Sequence, residues 1–465
     1  MKFYFSLPVW GEKYITFFTT YTLKLLLADG NIPFLARTQN TDIHFFLYCE
    51  EQDICRLTDH PLIAKLSSFC ELHFVDLDKF EQWSESRNKY SKMNAAHMHT
   101  LNKSVEQEAF YVPLVADSVI SSAFYQYCFE KIVQGYEAVL TRAFRMDEKK
   151  FENHIAETNT DHGGSIPLDA DRVCDHIFEL LHKEEYFDNV YSPQRKSFSK
   201  NRLNWIDEGQ SIITRNVRYF PSVSKVSSEF EGCVTVDDGT ILLDFRNKLD
   251  KLFIVKDPRE CFSGSLADDS DIFDTISSPF SHVEISKFLS EHIDPFFLYF
   301  FSQPIELVVN RRSEAFVERA EQDYSLVMEG YELYVEQKKA LARLSDFESS
   351  NKLPAWCFSV DFLNTVVRRF NGILADEKAL YIYGAGEHTK VLLYSSPCYS
   401  NILGIIDKDT KKHGTRMFGY PVVSVKSMMQ SSAPIVISSQ AFEREICAEL
   451  TACVSESTKI YKLYD

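Results

Sequence analysis

The sequence predicts an α/β protein with an N-terminal parallel or mixed sheet domain, a long connecting helix and a small C-terminal doubly wound domain. Three observations carry that expectation. Strand-like and helix-like segments alternate through the first 145 residues, the pattern of βαβ units. Residues 313–347 contain no proline and one glycine, Gly330, and place Phe316, Ala320, Val327, Tyr331 and Tyr334 at helical spacing. Beyond them the alternation restarts, and an apolar run at 379–383 leads into Gly384, Ala385 and Gly386.

In chain order, apolar runs at 3–9, 43–49, 71–77 and 109–115 read as strands, with helices between them at 14–27, 61–69 and, long and polar, 79–108. A further helix is expected over 122–134. The segment 151–193 is charged, with a helix near 170–182, and 211–254 holds short β-rich pieces broken by Pro221, Gly232 and Gly239. The expected domains are 1–310, with 151–310 as its central extension, a helical linker over 311–354, and 355–465. The linker ends in the turn residues Ser349, Ser350, Asn351 and Pro354. The last domain, Rossmann-like, carries strands at 379–383, 402–406 and 434–438.

The chain has 465 residues and a formal charge of −17, which excludes nucleic-acid binding by bulk electrostatics. Its 45% hydrophobic content supplies a core for each domain. The 11 cysteines are scattered singles without a CxxC pair, as expected of reduced thiols in the cytoplasm. Pro8, Gly11, Glu12 and Lys13 interrupt the apolar N-terminus, so no secretion signal is expected. The longest apolar burst, 296–301, is far short of a membrane span. GxSxG, GxxxxGK[ST] and HExxH are absent, which disfavours serine hydrolase, P-loop NTPase and zinc protease chemistry.

Two places have the residue types of a ligand site. At the C-terminal one, a strand delivers Gly384 and Gly386 to a helix start, so backbone amides and the positive dipole end can face a phosphate. Asp407, at the end of the next strand, stands where a carboxylate can accept a ribose hydroxyl. Thr389 replaces the third glycine of the dinucleotide pattern, and no Tyr-x-x-x-Lys relay follows, which disfavours an NAD-dependent oxidoreductase. A tight turn without a ligand is the other reading. In the N-terminal domain, Asp117 follows an apolar run and falls at a strand's carboxyl end, where open α/β sheets bind ligands; followed by Ser118, it is equally a helix N-cap. His97 and His99 lie two apart on a helix and cannot share a metal. His97 could hydrogen-bond a substrate, and Lys89 or Lys92 could neutralise a diphosphate. Asp237, Asp238 and Asp257 are candidates for a general base, or else turn residues. Asp268, Asp269 and Asp271 lack the spacing of a calcium loop.

The residues Gly384-Ala-Gly-Glu-His-Thr389, the run Gly404-Ile-Ile-Asp407 and Gly419-Tyr-Pro-Val-Val423 resemble the small Rossmann domain of bacterial sugar acetyltransferases. That resemblance covers about 378–440 and implies nucleotide-sugar contacts at Gly384, Gly386, His388 and Asp407. The opening strand with Pro8, the segment 89–97 and the strand 111–121 resemble a GT-A-like glycosyltransferase of the bacterial surface-polysaccharide type. This resemblance implies that Asp117 meets the donor diphosphate through Mg²⁺ or Mn²⁺, with Ser118, Lys89 and His97 nearby. A second carboxylate at Val115 or Val119 would complete a DxD motif, and neither is acidic.

The expected activity is transfer of a sugar from a nucleotide-sugar donor to a glycan or lipid-linked acceptor in surface polysaccharide synthesis. It would take place in the cytoplasm, at the inner membrane face for a lipid-linked acceptor. The alternative is a non-catalytic nucleotide-sugar-binding or complex-forming component acting through its C-terminal domain. Donor, acceptor, stereochemistry and oligomeric state are not encoded in any motif.

Overall fold

The computed structural model describes the chain outside residues 78–88, 159–163, 194, 197–201, 218, 220, 229–238, 269–274, 277–280, 349–359, 395–400, 418–419, 429–430, 456 and 465. Side chains are likewise described except at 89–90, 195–196, 221, 240, 275–276, 336–348, 360–364, 387, 390–391, 394 and 428. The fold is α/β, as expected, in two compact units: Met1–Phe280 with Asp294–Phe316, and Ser281–Ile293 with Val317–Asp465.

The first unit contains β1 (Lys2–Pro8), β2 (Asp42–Cys49), β3 (Glu71–Asp76), β4 (Phe110–Pro113), β5 (Ser118–Ile120), β6 (Ala138–Leu140) and β7 (Ala143–Asp147). After these come β8 (Arg195–Lys196), β9 (Arg202–Asp207), β10 (Ser211–Asn216), β11 (Pro221–Ser224), β12 (Leu252–Ile254), β13 (Ser263–Ala267), β14 (Thr275–Ile276) and β15 (Ile305–Val308). A seven-stranded sheet has the order β12-β6-β11-β4-β1-β2-β3 and is parallel except at β11. Strands buried on both faces read as continuous apolar runs. In β1, Phe3, Phe5 and Leu7 enter the main core on one face. Tyr4 packs on the other face with Phe46, Tyr48 and Ala96 of the helix Lys89–Glu106.

The expected helix over 14–27 is interrupted. Residues Glu12–Phe17 and Leu23–Leu26 are α-helical, but Phe18–Thr22 form a wider turn in which the Leu23 amide donates to the Phe18 carbonyl five residues back. β11 and β12, from the segment read as short β-rich pieces, lie within the main sheet. A second, three-stranded sheet of order β5-β13-β7 is reached directly from the first: two residues join β6 to β7, and four join β4 to β5. It therefore begins at the carboxyl edge of the main sheet.

The second unit contains β16 (Leu380–Tyr383), β17 (Ile402–Ile406), β18 (Arg416–Met417), β19 (Tyr420–Val423), β20 (Ile435–Ile437) and β21 (Ile460–Lys462). They form a sheet of order β18-β19-β17-β16-β20-β21, antiparallel only at β18. Separate apolar clusters cover its two faces, around Phe370 and Leu392 on one and Ile446 and Leu450 on the other. The long helix expected over 313–347 spans Glu314–Glu348. The helix His282–His292 lies against it: Ser286 Oγ donates to the Val327 carbonyl at 2.7 Å, and His282 Nε2 lies 3.1 Å from Asp323 Oδ1. Among the described residues no helix is long and apolar enough to cross a membrane.

Candidate active site

Beyond β4 the chain turns back within four residues. The Ser118 amide donates to the Val115 carbonyl at 3.1 Å, and Ser118 Oγ accepts from the Val115 amide at 3.1 Å. Ser118 therefore closes the turn. Strand β5 follows it rather than a helix, so Asp117 is not an N-cap. The turn is braced from the first helical segment, where the wide turn at Phe18–Thr22 brings buried Thr22 Oγ1 within 2.7 and 2.8 Å of the Ala116 and Ser118 carbonyls.

Sheet register then selects the partners of Asp117. Ser265 on β13 lies opposite both Ser118 on β5 and Arg145 on β7, so one strand aligns all three. Arg145 Nη1 lies 3.3 Å from Asp117 Oδ2 and 3.2 Å from Ser265 Oγ, and its Nε is 3.5 Å from Glu184 Oε2. The Asp117 side chain is 14% exposed and that of Arg145 28%, so the pair is reachable from solvent. The His182 amide donates to the Arg145 carbonyl at 2.9 Å. Burial, and then the like charge of Arg145, pull the His182 imidazole below its ordinary pKa, which keeps it neutral. Lys13, in the connection after β1, pairs with Asp268 just past β13 at 2.7 Å.

A buried polar network underpins this edge. Arg142, in the two-residue link from β6 to β7, donates to Glu185 Oε2 at 2.6 Å and to Thr214 Oγ1 at 2.9 Å, and its guanidinium centre lies 3.7 Å from the centroid of the Phe144 ring. Glu185 also accepts from the Arg145 amide at 2.8 Å and from Asn204 Nδ2 at 3.0 Å. Arg142, Glu185, Asn204 and Thr214 are all buried. Burial pulls the Arg142 guanidinium down to about 10 against the opposing pull of Glu185. The network ties β7 to β9 and β10, so the backbone carrying Arg145 is held from below.

Asp117 would meet a divalent ion as a single carboxylate, with donor phosphates and water completing its shell. Mg²⁺ and Mn²⁺ are held by oxygen ligands drawn together around one point. The Asp117 carboxylate faces the Arg145 guanidinium, and among the described residues no set of three ligating groups includes it. The remaining sequence candidates are dispersed. His97 is 1% exposed, and its Nδ1 shares a hydrogen bond of 2.9 Å with the Tyr111 hydroxyl; it is a core residue out of reach of a substrate. Burial lowers its pKa to about 3. Lys89 opens the helix Lys89–Glu106, but its side chain lies outside the described residues, as do Asp237 and Asp238. Lys92 pairs with Glu50 at 3.0 Å. Asp257 Oδ1 accepts from the Arg259 amide at 2.9 Å, which makes it the cap of its own turn.

At the C-terminal turn, Gly384 adopts φ 110°, a conformation that favours glycine, and a Cβ there would stand 3.1 Å from Ser438 Oγ. Asp407 does face the turn. Its Oδ2 accepts from the Ala385 amide at 2.7 Å and from Lys412 Nζ at 3.1 Å, and its Oδ1 accepts from the Asp409 amide at 2.8 Å. Burial alone would raise the Asp407 carboxyl, but these donors outweigh it and hold the group below the usual carboxylate range. His388 Nδ1 lies 3.0 Å from the Tyr464 hydroxyl, and Gly386 is exposed.

Arg145, Ser265, Glu184, His182 and Lys13 were not among the sequence candidates. The alternation of buried Phe144 and Met146 with Arg145 and Asp147 is a strand signal that points to Arg145. The other four are recruited by tertiary register and carry no local signal.

A family model described as C2185-like, N-terminal, matches residues 376–461, within the second unit. Mouse xyloside xylosyltransferase 1, solved in its apo form, is a structural neighbour at 14% identity and a TM-score of 0.21. The match covers 36% of this chain and 64% of that one. No curated protein matches.

Proposed function

We propose that the first unit is a glycosyltransferase of the GT-A type that takes a nucleotide-sugar donor at the carboxyl edge of its main sheet. The observation that carries this is the Asp117–Arg145 pair, solvent-reachable and placed where β4 leaves a largely parallel sheet. A donor diphosphate is a stronger partner for a guanidinium than one carboxylate, because it carries more than one negative charge and can also be held bidentately. Arg145 would shift to the diphosphate and stabilise the charge that develops on it as the glycosidic bond breaks. Lys13 would supply a second positive charge. Asp117, released, would accept a hydroxyl of the donor sugar. In this scheme the charge on the leaving group is met by Arg145 and not by Mg²⁺ or Mn²⁺. The acceptor would be a glycan or lipid-linked saccharide, in keeping with surface polysaccharide synthesis in a bacterial cytoplasm.

The test is a transfer and donor-hydrolysis assay on the full chain against a panel of nucleotide-sugars, with and without chelator. Arg145→Met should lower donor affinity or turnover about 10–100-fold, the worth of a charge-assisted contact. Asp117→Asn should impair sugar discrimination and turnover, and chelation should change little. Full activity in both variants, or no reaction with any donor in the panel, would refute the assignment.

A further inference from the structure

At the opposite end of the same sheet, well away from Asp117, four polar side chains gather on one face of the edge pair β2–β3. Parallel register sets His44 opposite Glu71 and Phe46 opposite His73, so Asp42 and His44 on one strand face Glu71 and His73 on the other. His44 Nδ1 and His73 Nε2 are 3.2 Å apart. The ring centroids are 5.5 Å apart with planes 10° from parallel, so the imidazoles meet edge to edge, nitrogen to nitrogen. Glu71 spans the pair with one oxygen toward each ring, Oε2 3.5 Å from His44 Nδ1 and Oε1 3.6 Å from His73 Nε2. Tetrahedral zinc, with bonds of about 2.0–2.2 Å to nitrogen and oxygen, holds its ligand atoms about 3.3–3.5 Å apart. The separation of the two nitrogens is that of neighbouring ligands in such a site, and each Glu71 oxygen lies beside one of the two imidazoles, with one ligand atom from each of the three residues within 4.8 Å of the others.

The surroundings agree. The other nitrogen of His44, Nε2, lies 3.2 Å from Asp42 Oδ2. A carboxylate in that place, the usual second partner of a metal-bound histidine, accepts the hydrogen bond of the Nε2–H and so leaves Nδ1 as the unprotonated, ligating nitrogen. The rings are also set in place by packing: Tyr4 lies 4.7 Å from His44, and Phe46 stacks 4.5 Å from His73. The His44 and His73 side chains are 16% and 30% exposed, open enough for an ion to enter.

We propose that His44, His73 and Glu71 bind a zinc-class divalent ion, with water as the fourth ligand and Asp42 orienting His44. The site clips the edge strand β3 to β2. From His44 to Cys49 at the carboxyl end of β2 is about 16 Å at the rise of a strand, so the ion is not part of the sugar-transfer chemistry.

The full chain, stripped with chelator, is titrated with zinc sulfate by calorimetry, followed by thermal unfolding and, with cobalt(II), by visible absorption. Expected are one saturable site, a melting temperature raised by several degrees, and a cobalt spectrum of nitrogen and oxygen ligation without thiolate charge transfer. His73→Gln should weaken binding at least 100-fold and abolish the thermal shift. Asp42→Asn should weaken it about 10–100-fold, as loss of a second-shell partner does. Glu71 is largely exposed, so Glu71→Gln keeps the fold and should still weaken zinc about tenfold. No saturable binding would overturn the proposal. So would binding that is unchanged in Glu71→Gln and His73→Gln, which would place the ion on exposed thiols such as Cys55 or Cys453.

Discussion

Two strand tips in this molecule carry a carboxylate beside a turn, and they are satisfied in different ways. After β4, Asp117 meets a guanidinium delivered from a distant strand, in a pair that solvent can reach. After β17, Asp407 is bound by the Ala385 amide of the glycine turn beyond β16, by the Asp409 amide of its own turn and by Lys412. A carboxylate has about four lone-pair sites, and three of those on Asp407 are already in use. The first arrangement can exchange an internal partner for an incoming anion without leaving a buried group unpaired. In the second, two of the three donors are backbone amides, which cannot swing aside as a side chain can. The glycine turn that stands out in the sequence holds its carboxylate mainly through backbone amides, and the plain Asp117 meets a side chain.

The largest expected effect tests what supports the first tip. Glu185→Gln breaks a buried ion pair that also holds Asn204 and the Arg145 amide, and should cost about 3–5 kcal/mol in urea unfolding of the full chain. A loss under about 1 kcal/mol would mean that the network does not anchor β7. The response to acid should also separate the units. Folded His97 takes a proton only near pH 3 while the unfolded residue does so near 6.5, so the unfolded state binds more protons between those values and stability falls as pH drops through that window. From about pH 7.5 to pH 5, His97 should account for about 2 kcal/mol, and His97→Gln should flatten that part of the profile. Asp407, whose pKa is lowered, contributes stability that is present above its unfolded value and is lost only as pH falls through its folded one, below about 4. Burial also lowers the His388 imidazole in the second unit, so hydrogen exchange followed from pH 7.5 to 5 should show both units loosening and the first, with fully buried His97, loosening more. The smallest effect is Gly384→Ala, about 1–3 kcal/mol in the second unit alone, from forcing a side chain into φ 110° against Ser438. A neutral result would mean that the turn relaxes, and the contrast between the tips would weaken.

Much of the α/β architecture could be read from the residues, because strands buried on both faces leave unbroken apolar runs such as Phe3 to Leu7, and the long helix leaves an uninterrupted period. The break at Phe18–Thr22 could not be read. A wide turn there is chosen by the reach of Thr22 to carbonyls almost 100 residues away, not by local propensity. The candidate site follows the same division. Asp117 was visible because a carboxylate at the end of an apolar strand is a local pattern. Arg145 and Ser265 became its partners only through the register of β13 with β5 and β7. His97 looked like a substrate contact because a sequence shows that a histidine lies on a helix, but not that Tyr111 lies under it.

The path of the backbone between the two units has a practical consequence. The chain passes from one unit to the other at 280–281, returns at 293–294 and leaves again at 316–317. No single cut can release either unit whole. Truncation at residue 310 would strand the helix His282–His292 without Val327 and Asp323, to which it is hydrogen-bonded, and expose Ile285 and Leu289, now buried. Fragments made that way should aggregate, and a protease nick between 293 and 294 should leave two pieces that stay together until denatured.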